Sequence, residues 1–456
     1  MSIYKSCDIR GVYAKELDEA TMADIGRGIV SIMRRSLDRP RIIVGGDVRR
    51  STASLKAALI DGIAQSGGLV IDVGPLPTPV FYFAFANTPS DGCALVTASH
   101  NPPEFNGLKL CFSHIPVTPE EIEELQRTVE QKEFTTGSCE VQQLDVVADY
   151  EAWLEGQFAE PIALKIAVDA GGGCQSEIAP RALRRAGFDV APLFCEVDPD
   201  LTVRNPNPLP QHLGVLRRAV VENSCSFGAA FDADGDRVIF VDEEGSPIHG
   251  DMAGAVFARR LLRSDPGEKV VYEVNCSQAL ADTVTAAGGQ ALMGRAGHAF
   301  MKRRMIDENA LFGAELSGHF FYRRLHGGDD ALFSAMMMGQ LLQETGRKLS
   351  GLVEAVPHYY STPVVRLPRQ AAEARRIVDA IAANAREGEV SRLDGVRVQY
   401  ANGWALARAS VTEPVLSMRF EAHRKEDLPA ILDKCLGFDP ELEQEVKKVL
   451  EAHGGC

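Results

Sequence analysis

Three times along the chain, a basic residue and a short apolar run lead through a polar turn into a helix-spaced segment that stops at glycine. The first such segment is RIIVGGDVRRSTASLKAALIDGIAQSGG from Arg41, the second LKIAVDAGGGCQSEIAPRALRRAGF from Leu164, the third EKVVYEVNCSQALADTVTAAGG from Glu268. The apolar runs read as buried strands, and the spacing predicts helices starting near Ser51, Ser176 and Ser277, each capped by its serine. A second short apolar strand follows each stop: LVIDVG, DVAPLF and QALMG. Strand, helix and strand in alternation predict parallel α/β layers. Three tandem, related α/β domains are the economical reading; chance likeness among common β-α units is the plainer one.

The tail has a different pattern. GVRVQYANGWALARASV reads as two strands joined at Asn402-Gly403, a strong hairpin signal, and VLSMRFEA as a third. Helical stretches flank the set, which predicts a C-terminal α+β domain. The segment AVPHYYSTPVVRLPRQ reads as the linker before it. The expected division is 1–146, 147–250, 251–358 and 359–456.

Composition narrows the function. The chain has 456 residues, 45% hydrophobic and 24% charged, which suits a soluble globular protein of several domains. No apolar run approaches membrane-spanning length, and the opening MSIYKSCDIRG carries no apolar leader. A cytoplasmic location without membrane association is expected. Ten cysteines are scattered without a C-x-x-C pair, against a thiolate zinc site or a disulfide scaffold. The net charge of −15 argues against nucleic acid as a partner, and an anionic substrate would need a local basic pocket.

Five stretches carry candidate chemistry. In FDADGDRVIFVDEEG, Asp232, Asp234 and Asp236 alternate ahead of a strand. Three carboxylates this close repel one another unless a cation sits among them, and oxygen ligands suit Mg²⁺ or Ca²⁺. An EF-hand is disfavoured because Arg237 stands at its glycine position. A haloacid-dehalogenase-type loop is disfavoured by Asp236, and a solvated acidic turn is the plain alternative. In VTASHNPPEFNGLKL, Ser99 ends an apolar run and is followed by His100. It is either a turn-closing serine or a nucleophile. In GAELSGHFF, Glu315, Ser317 and His319 alternate, so an extended segment would point all three one way, toward sugar hydroxyls. Nearby, GRAGHAFMKRRM offers Arg295, His298 and Lys302 around a helix start. RASVTEP offers Arg408, Ser410 and Thr412 to a phosphate, and CDIRG offers Arg10. The pair Arg49 and Arg50 reads as lining a helix start.

Taken together and in this order, CDIRG, TASHNP, DADGDR, GAELSGH and RASVTEP resemble the α-D-phosphohexomutases, closest to the bacterial phosphomannomutase/phosphoglucomutase branch. The likeness covers essentially the whole chain. It implies three related α/β domains and a fourth α+β domain around a central cleft. It also implies reversible interconversion of hexose 1-phosphate and hexose 6-phosphate through a hexose 1,6-bisphosphate. By the resemblance, Ser99 carries the phosphoryl group, and Asp232, Asp234 and Asp236 bind Mg²⁺ with a phosphoserine oxygen of Ser99. Arg10, Lys109 and Arg237 surround the transferring phosphoryl, and either His100 or Lys109 helps with proton transfer. His319 stands near the reacting end. Glu315 and Ser317 read sugar hydroxyls, with His298 as a further substrate contact. Arg408, Ser410 and Thr412 grip the phosphate that does not react.

Three positions depart from the branch. Cys7 stands where tyrosine is common, Val411 where an asparagine is common in the phosphate loop, and Asn275 where a lysine is common. These leave the reaction class intact and the choice between mannose and glucose open. Leu316 and RASVTEP argue against the phosphoglucosamine branch. A metal-dependent sugar phosphatase with a serine nucleophile shares Ser99 and the aspartates, and a non-catalytic sugar-phosphate or Ca²⁺ binder shares the aspartates. The expected partner is a phosphorylated hexose, and the chain a monomer or small homo-oligomer.

Overall fold

Apolar runs such as Ile42–Val44 and Ile166–Val168 form buried strands of layered α/β structure. The structure, a computed structural model, describes residues 2–113, 115–409 and 414–452. The chain falls into two compact units: residues up to 250 with 317–352, and residues 251–316 with those from 353 onward. No helix among the described residues is long and apolar enough to cross a membrane.

The first unit holds two large sheets. In one, the strands run in the order Asp8–Val12, Phe105–Phe112, Gly92–Val96, Arg41–Gly46, Leu69–Pro75, Val141–Gln143. Arg41–Gly46 lies parallel to both Leu69–Pro75 and Gly92–Val96, whereas Phe105–Phe112 returns antiparallel. The helices Glu19–Met33 and Thr52–Gln65 cover it and bury Ile25, Ile29, Leu55, Leu59 and Ile63 against Ile42 and Val44. They approach closely at Gly62, where a Cβ would stand 2.1 Å from the Ala23 carbonyl oxygen. In the other sheet, Phe227–Phe231 lies parallel to Lys165–Asp169 and antiparallel to Val238–Asp242. Lys165–Asp169 pairs parallel with Asp189–Leu193. Phe320–Tyr322 pairs with Gly328–Asp329 in the same unit.

In the second unit, Lys269–Glu273 lies parallel to Gln290–Gly294 and Phe312–Ala314. A C-terminal antiparallel sheet is built on Val396–Tyr400, Gly403–Ala409 and Val415–Ala422, with the hairpin turn at Asn402 as expected. The expected linker contributes two strands, Tyr360–Ser361 and Val365–Pro368, both paired with Val415–Ala422. Helices Ala371–Asn384 and Leu428–Leu436 bury Val378, Ile381, Ile431 and Leu432 on that sheet.

All three repeated strand-helix-strand units have the expected parallel pairing. The serine caps differ. Ser277 caps its helix, with its hydroxyl accepting the Ala279 N–H at 3.1 Å. Ser51 stands at the cap position without making the bond; its Oγ accepts from Asn106 Nδ2 at 2.9 Å. Ser176 lies inside its helix and donates to the Gly173 carbonyl.

Candidate active site

The sheet of the first unit sets up the serine loop. Strand Gly92–Val96 ends at Thr97, and the next turn holds Ser99 at φ +51, a left-handed conformation that is costly for a residue with a Cβ. The returning strand places Lys109 opposite Leu95. Its outer neighbour places Arg10 opposite Gly107, and Arg10 Nη1 donates to Asn101 Oδ1 at 2.6 Å. Ser99, Lys109 and Arg10 thus reach one place from three strands or strand ends.

The acidic loop is a tight connection between two antiparallel strands, which excludes an EF-hand. Asp232 Oδ1 accepts the amide N–H groups of Gly235, Asp236 and Arg237 at 3.0, 3.1 and 3.1 Å. Gly235, at φ +77, permits the curl. The other oxygen, Asp232 Oδ2, lies 3.3 Å from Ser99 Oγ. Asp234 Oδ2 accepts from Thr78 Oγ1 at 2.8 Å, Thr97 Oγ1 at 3.3 Å and Lys109 Nζ at 2.8 Å. Asp236 Oδ2 accepts from Lys109 Nζ at 2.6 Å.

The three carboxylates are buried, and one oxygen of each lies within 4.8 Å of the others. Asp234 Oδ1 and Asp236 Oδ1 are buried without a hydrogen-bond partner. Buried carboxylate oxygens left without a donor, in a cluster of three aspartates, fit a hard, oxygen-preferring cation. Burial, then Asp236 and Asp234, push the Asp232 carboxyl well above the usual range. Burial opposes charge on Asp234 too, but Lys109 outweighs it and holds Asp234 well below that range. Lys109 answers in kind: burial works against its charge, and Asp234 and Asp236 more than restore it.

Two imidazoles flank the loop. His100 Nδ1 lies 3.1 Å from Ser99 Oγ. Burial, then Arg237 and Arg10, hold this ring well below its ordinary value, so it is neutral. His319 Nδ1 lies 2.5 Å from Asp329 Oδ2, and Arg237 Nε donates to His319 Nε2 at 2.8 Å. Burial lowers the proton affinity of His319, but Asp236 and the Asp329 hydrogen bond outweigh it and carry the ring to about 9. Arg237 occupies Nε2 in this arrangement.

GAELSGH is not extended as the alternation argument required. A turn at Leu316 and Ser317 interrupts it, and Gly318 adopts φ +90. Ser317 and His319 belong to the first unit, Glu315 to the second. In the second unit, Glu273 lies at the end of its strand and accepts the Leu316 N–H at 3.2 Å and a bond from Asn275 Nδ2. Burial, then the Glu315 carboxylate, push Glu273 up to about 7, with Arg408 opposing. Arg408 Nε lies 3.3 Å from Asp394 Oδ2, which also accepts the Ala296 N–H at 3.0 Å. That amide lies two residues before His298, the first residue of helix His298–Asp307. Glu315 and Arg408 thus act on Glu273 through their charges, and Asp394 ties Arg408 to the backbone just ahead of His298. Ser410, Val411 and Thr412 lie outside the described residues.

Sequence reasoning read Arg49 only as lining a helix start, whereas it holds the Ser99 and Asn101 carbonyls, and it missed Thr78, Thr97, Asn101, Glu273, Asp329 and Asp394. Thr97 and Asn101 flank the serine and share its motif. The others gave no local signal.

Models of phosphoglucomutase/phosphomannomutase domains match along the chain: α/β/α domain I at residues 1–136, domain II at 154–245, domain III at 249–360 and the C-terminal domain at 364–436. A phosphomannomutase/phosphoglucomutase of Pseudomonas putida is 35% identical over 97% of each chain. A phosphoglucomutase of Neisseria meningitidis is 33% identical, over 99% of this chain and 97% of its own. The crystal structure of a phosphoglucomutase/phosphomannomutase family protein from Burkholderia thailandensis superposes with a TM-score of 0.90 at 33% identity, covering 97% of this chain and 98% of its own. With four domain models in order and relatives matched end to end, this chain belongs to the phosphoglucomutase/phosphomannomutase family, the α-D-phosphohexomutases.

Proposed function

We propose that this chain interconverts hexose 1-phosphate and hexose 6-phosphate, with glucose, mannose or both as the sugar. The observation that carries the reading is Ser99 Oγ, buried beside a carboxylate triad at 3.3 Å from Asp232, with Lys109 bonded to the other two carboxylates. In the forward half-reaction the bond from Ser99 Oγ to phosphorus breaks as a sugar hydroxyl oxygen bonds to that phosphorus. The hydroxyl proton passes to a base of the site. The product is a hexose 1,6-bisphosphate, whose other phosphate returns to Ser99 in the reverse sense.

In this reading Asp232, Asp234, Asp236 and a phosphoserine oxygen hold Mg²⁺, which would supply charge neutralisation at the transferring phosphoryl. Lys109, tied to two carboxylates, acts as a fixed positive charge. Arg10 and Arg237 hold the equatorial oxygens. Neutral His100 and carboxylate-backed His319 are the proton carriers. Glu315 and Ser317 read hydroxyls, His298 is a further substrate contact, and Arg408, Ser410 and Thr412 grip the distal phosphate. The domains are drawn at 1–146, 147–250, 251–358 and 359–456. The enzyme is read as cytoplasmic, as a monomer or small homo-oligomer.

Phosphorus NMR tests this directly. Glucose 1-phosphate and mannose 1-phosphate are followed with Mg²⁺, with and without hexose 1,6-bisphosphate, for wild type and Ser99→Ala. Interconversion that needs Ser99 and is primed by the bisphosphate is expected. Release of free phosphate without 6-phosphate would overturn it.

A further inference from the structure

Arg49 is buried among the first unit's strand ends, and every donor of its guanidinium is used. Nε donates to Asp47 Oδ2 at 3.1 Å. Nη2 donates to the Ser99 and Asn101 carbonyls at 2.6 and 2.7 Å. Nη1 donates to the Pro102 and Phe105 carbonyls at 2.7 and 3.3 Å. A guanidinium has five N–H groups in a rigid fork, so none is left for a phosphate. Asp47 neutralises the charge and is itself fixed, since its Oδ1 accepts from Arg49 N at 3.0 Å and Thr52 Oγ1 at 2.5 Å.

The four carbonyls belong to one loop, 99–105, which therefore curls around the guanidinium plane. The Ser99 peptide is pinned on its other side as well, because its N–H donates to Thr97 Oγ1 at 2.9 Å. A residue with a Cβ persists at φ +51 only where its surroundings over-determine it. We propose that Arg49 is a positioning residue for the nucleophile, a buried strut that fixes loop 99–105 so that Ser99 Oγ faces Asp232. This rests on the reading of Ser99 as the phosphoryl carrier. It assigns Arg49 a task unlike that of Arg10 and Arg237, although all three are arginines near the serine loop.

The test compares full-length wild type with Arg49→Lys and Arg49→Met, with Arg50→Met as comparator. Arg50 is exposed and pairs with Asp200. Amide exchange is followed in peptides covering 99–105 and in strand Arg41–Gly46, and kcat and KM are measured with glucose 1-phosphate. A strut predicts exchange in 99–105 faster by at least about tenfold with the strand unchanged. It predicts kcat down about 100-fold with KM within about threefold of wild type, since misplacing a reacting group costs rate and not binding. Arg49→Lys should recover part of the loss because it keeps the charge and one or two carbonyl bonds. If Arg49→Met does not fold, Arg49→Lys decides by the same readouts. A rise in KM with kcat held would make Arg49 a phosphate ligand and overturn the proposal, as would unchanged exchange at 99–105. Absence of interconversion by the wild type would overturn the mutase reading instead, since exchange needs no substrate.

Discussion

Lys109 Nζ lies 2.6 Å from Asp236 Oδ2, a carboxylate 127 residues further along the chain. The same ammonium reaches Asp234, so one strand residue compensates two members of the acidic triad. Removing one partner of such a buried set leaves charge without compensation.

Lys109→Met is expected to destabilise the metal-free protein by about 3 kcal/mol. Added Mg²⁺ should restore part of this, because a ligand bound only by the folded state adds its binding free energy. Thermal unfolding in chelator and in Mg²⁺ checks both. An equal loss in the two conditions would mean that the lysine does not act through the triad.

Glu273 carries a pH dependence. Burial, then the Glu315 carboxylate, raise it from 4.5 to about 7, so the folded protein keeps a proton that the unfolded chain gives up. Its contribution to stability is full below the unfolded value and is lost as pH rises through the folded one. Glu273→Gln, neutral throughout, should flatten this decline and be more stable than wild type at pH 8 by roughly 2 kcal/mol. Urea unfolding at pH 5 and 8 measures it; identical pH slopes for the two proteins would refute the assignment.

Gly318 has no room for a side chain. At φ +90, a Cβ would stand 2.5 Å from the Val238 carbonyl oxygen. Gly318→Ala is expected to cost at least about 2 kcal/mol in thermal or urea unfolding. Its kcat should fall as well, because His319 is the next residue. Wild-type stability in this variant would show that the turn has another way to close.

Arg408 tests the distal grip. Arg408→Gln should raise KM for glucose 1-phosphate at least about tenfold and leave kcat within a few-fold, as loss of a charge-assisted phosphate contact does. A fall in kcat with KM unchanged would place Arg408 at the chemistry instead.

The legible parts of the fold were those with a local physical cause. Apolar runs before glycine turns gave the parallel strands, and Asn402-Gly403 gave the hairpin. Serine caps were less legible, because a hydroxyl goes to whichever partner tertiary packing supplies. Ser51 meets Asn106, whereas Ser277 keeps its own helix N–H. Tyr360–Ser361 and Val365–Pro368 read as a linker because strands of two and four residues among prolines carry too little alternation to register. The alternation in GAELSGH misled because Gly318 turns the chain there.

The sequence by itself determined the acidic loop. Its three aspartates are neighbours, and the amides that close on Asp232 come from Gly235, Asp236 and Arg237 in the same turn. It also marked Ser99, because the motif around it is contiguous. Only the tertiary structure decided what surrounds them. Thr78 and Lys109 reach Asp234 across 156 and 125 residues, and Arg49 reaches the Ser99 carbonyl across 50. Those meetings depend on strand order and register, which are set by burying whole sheet faces against helices, and no short stretch of sequence encodes them.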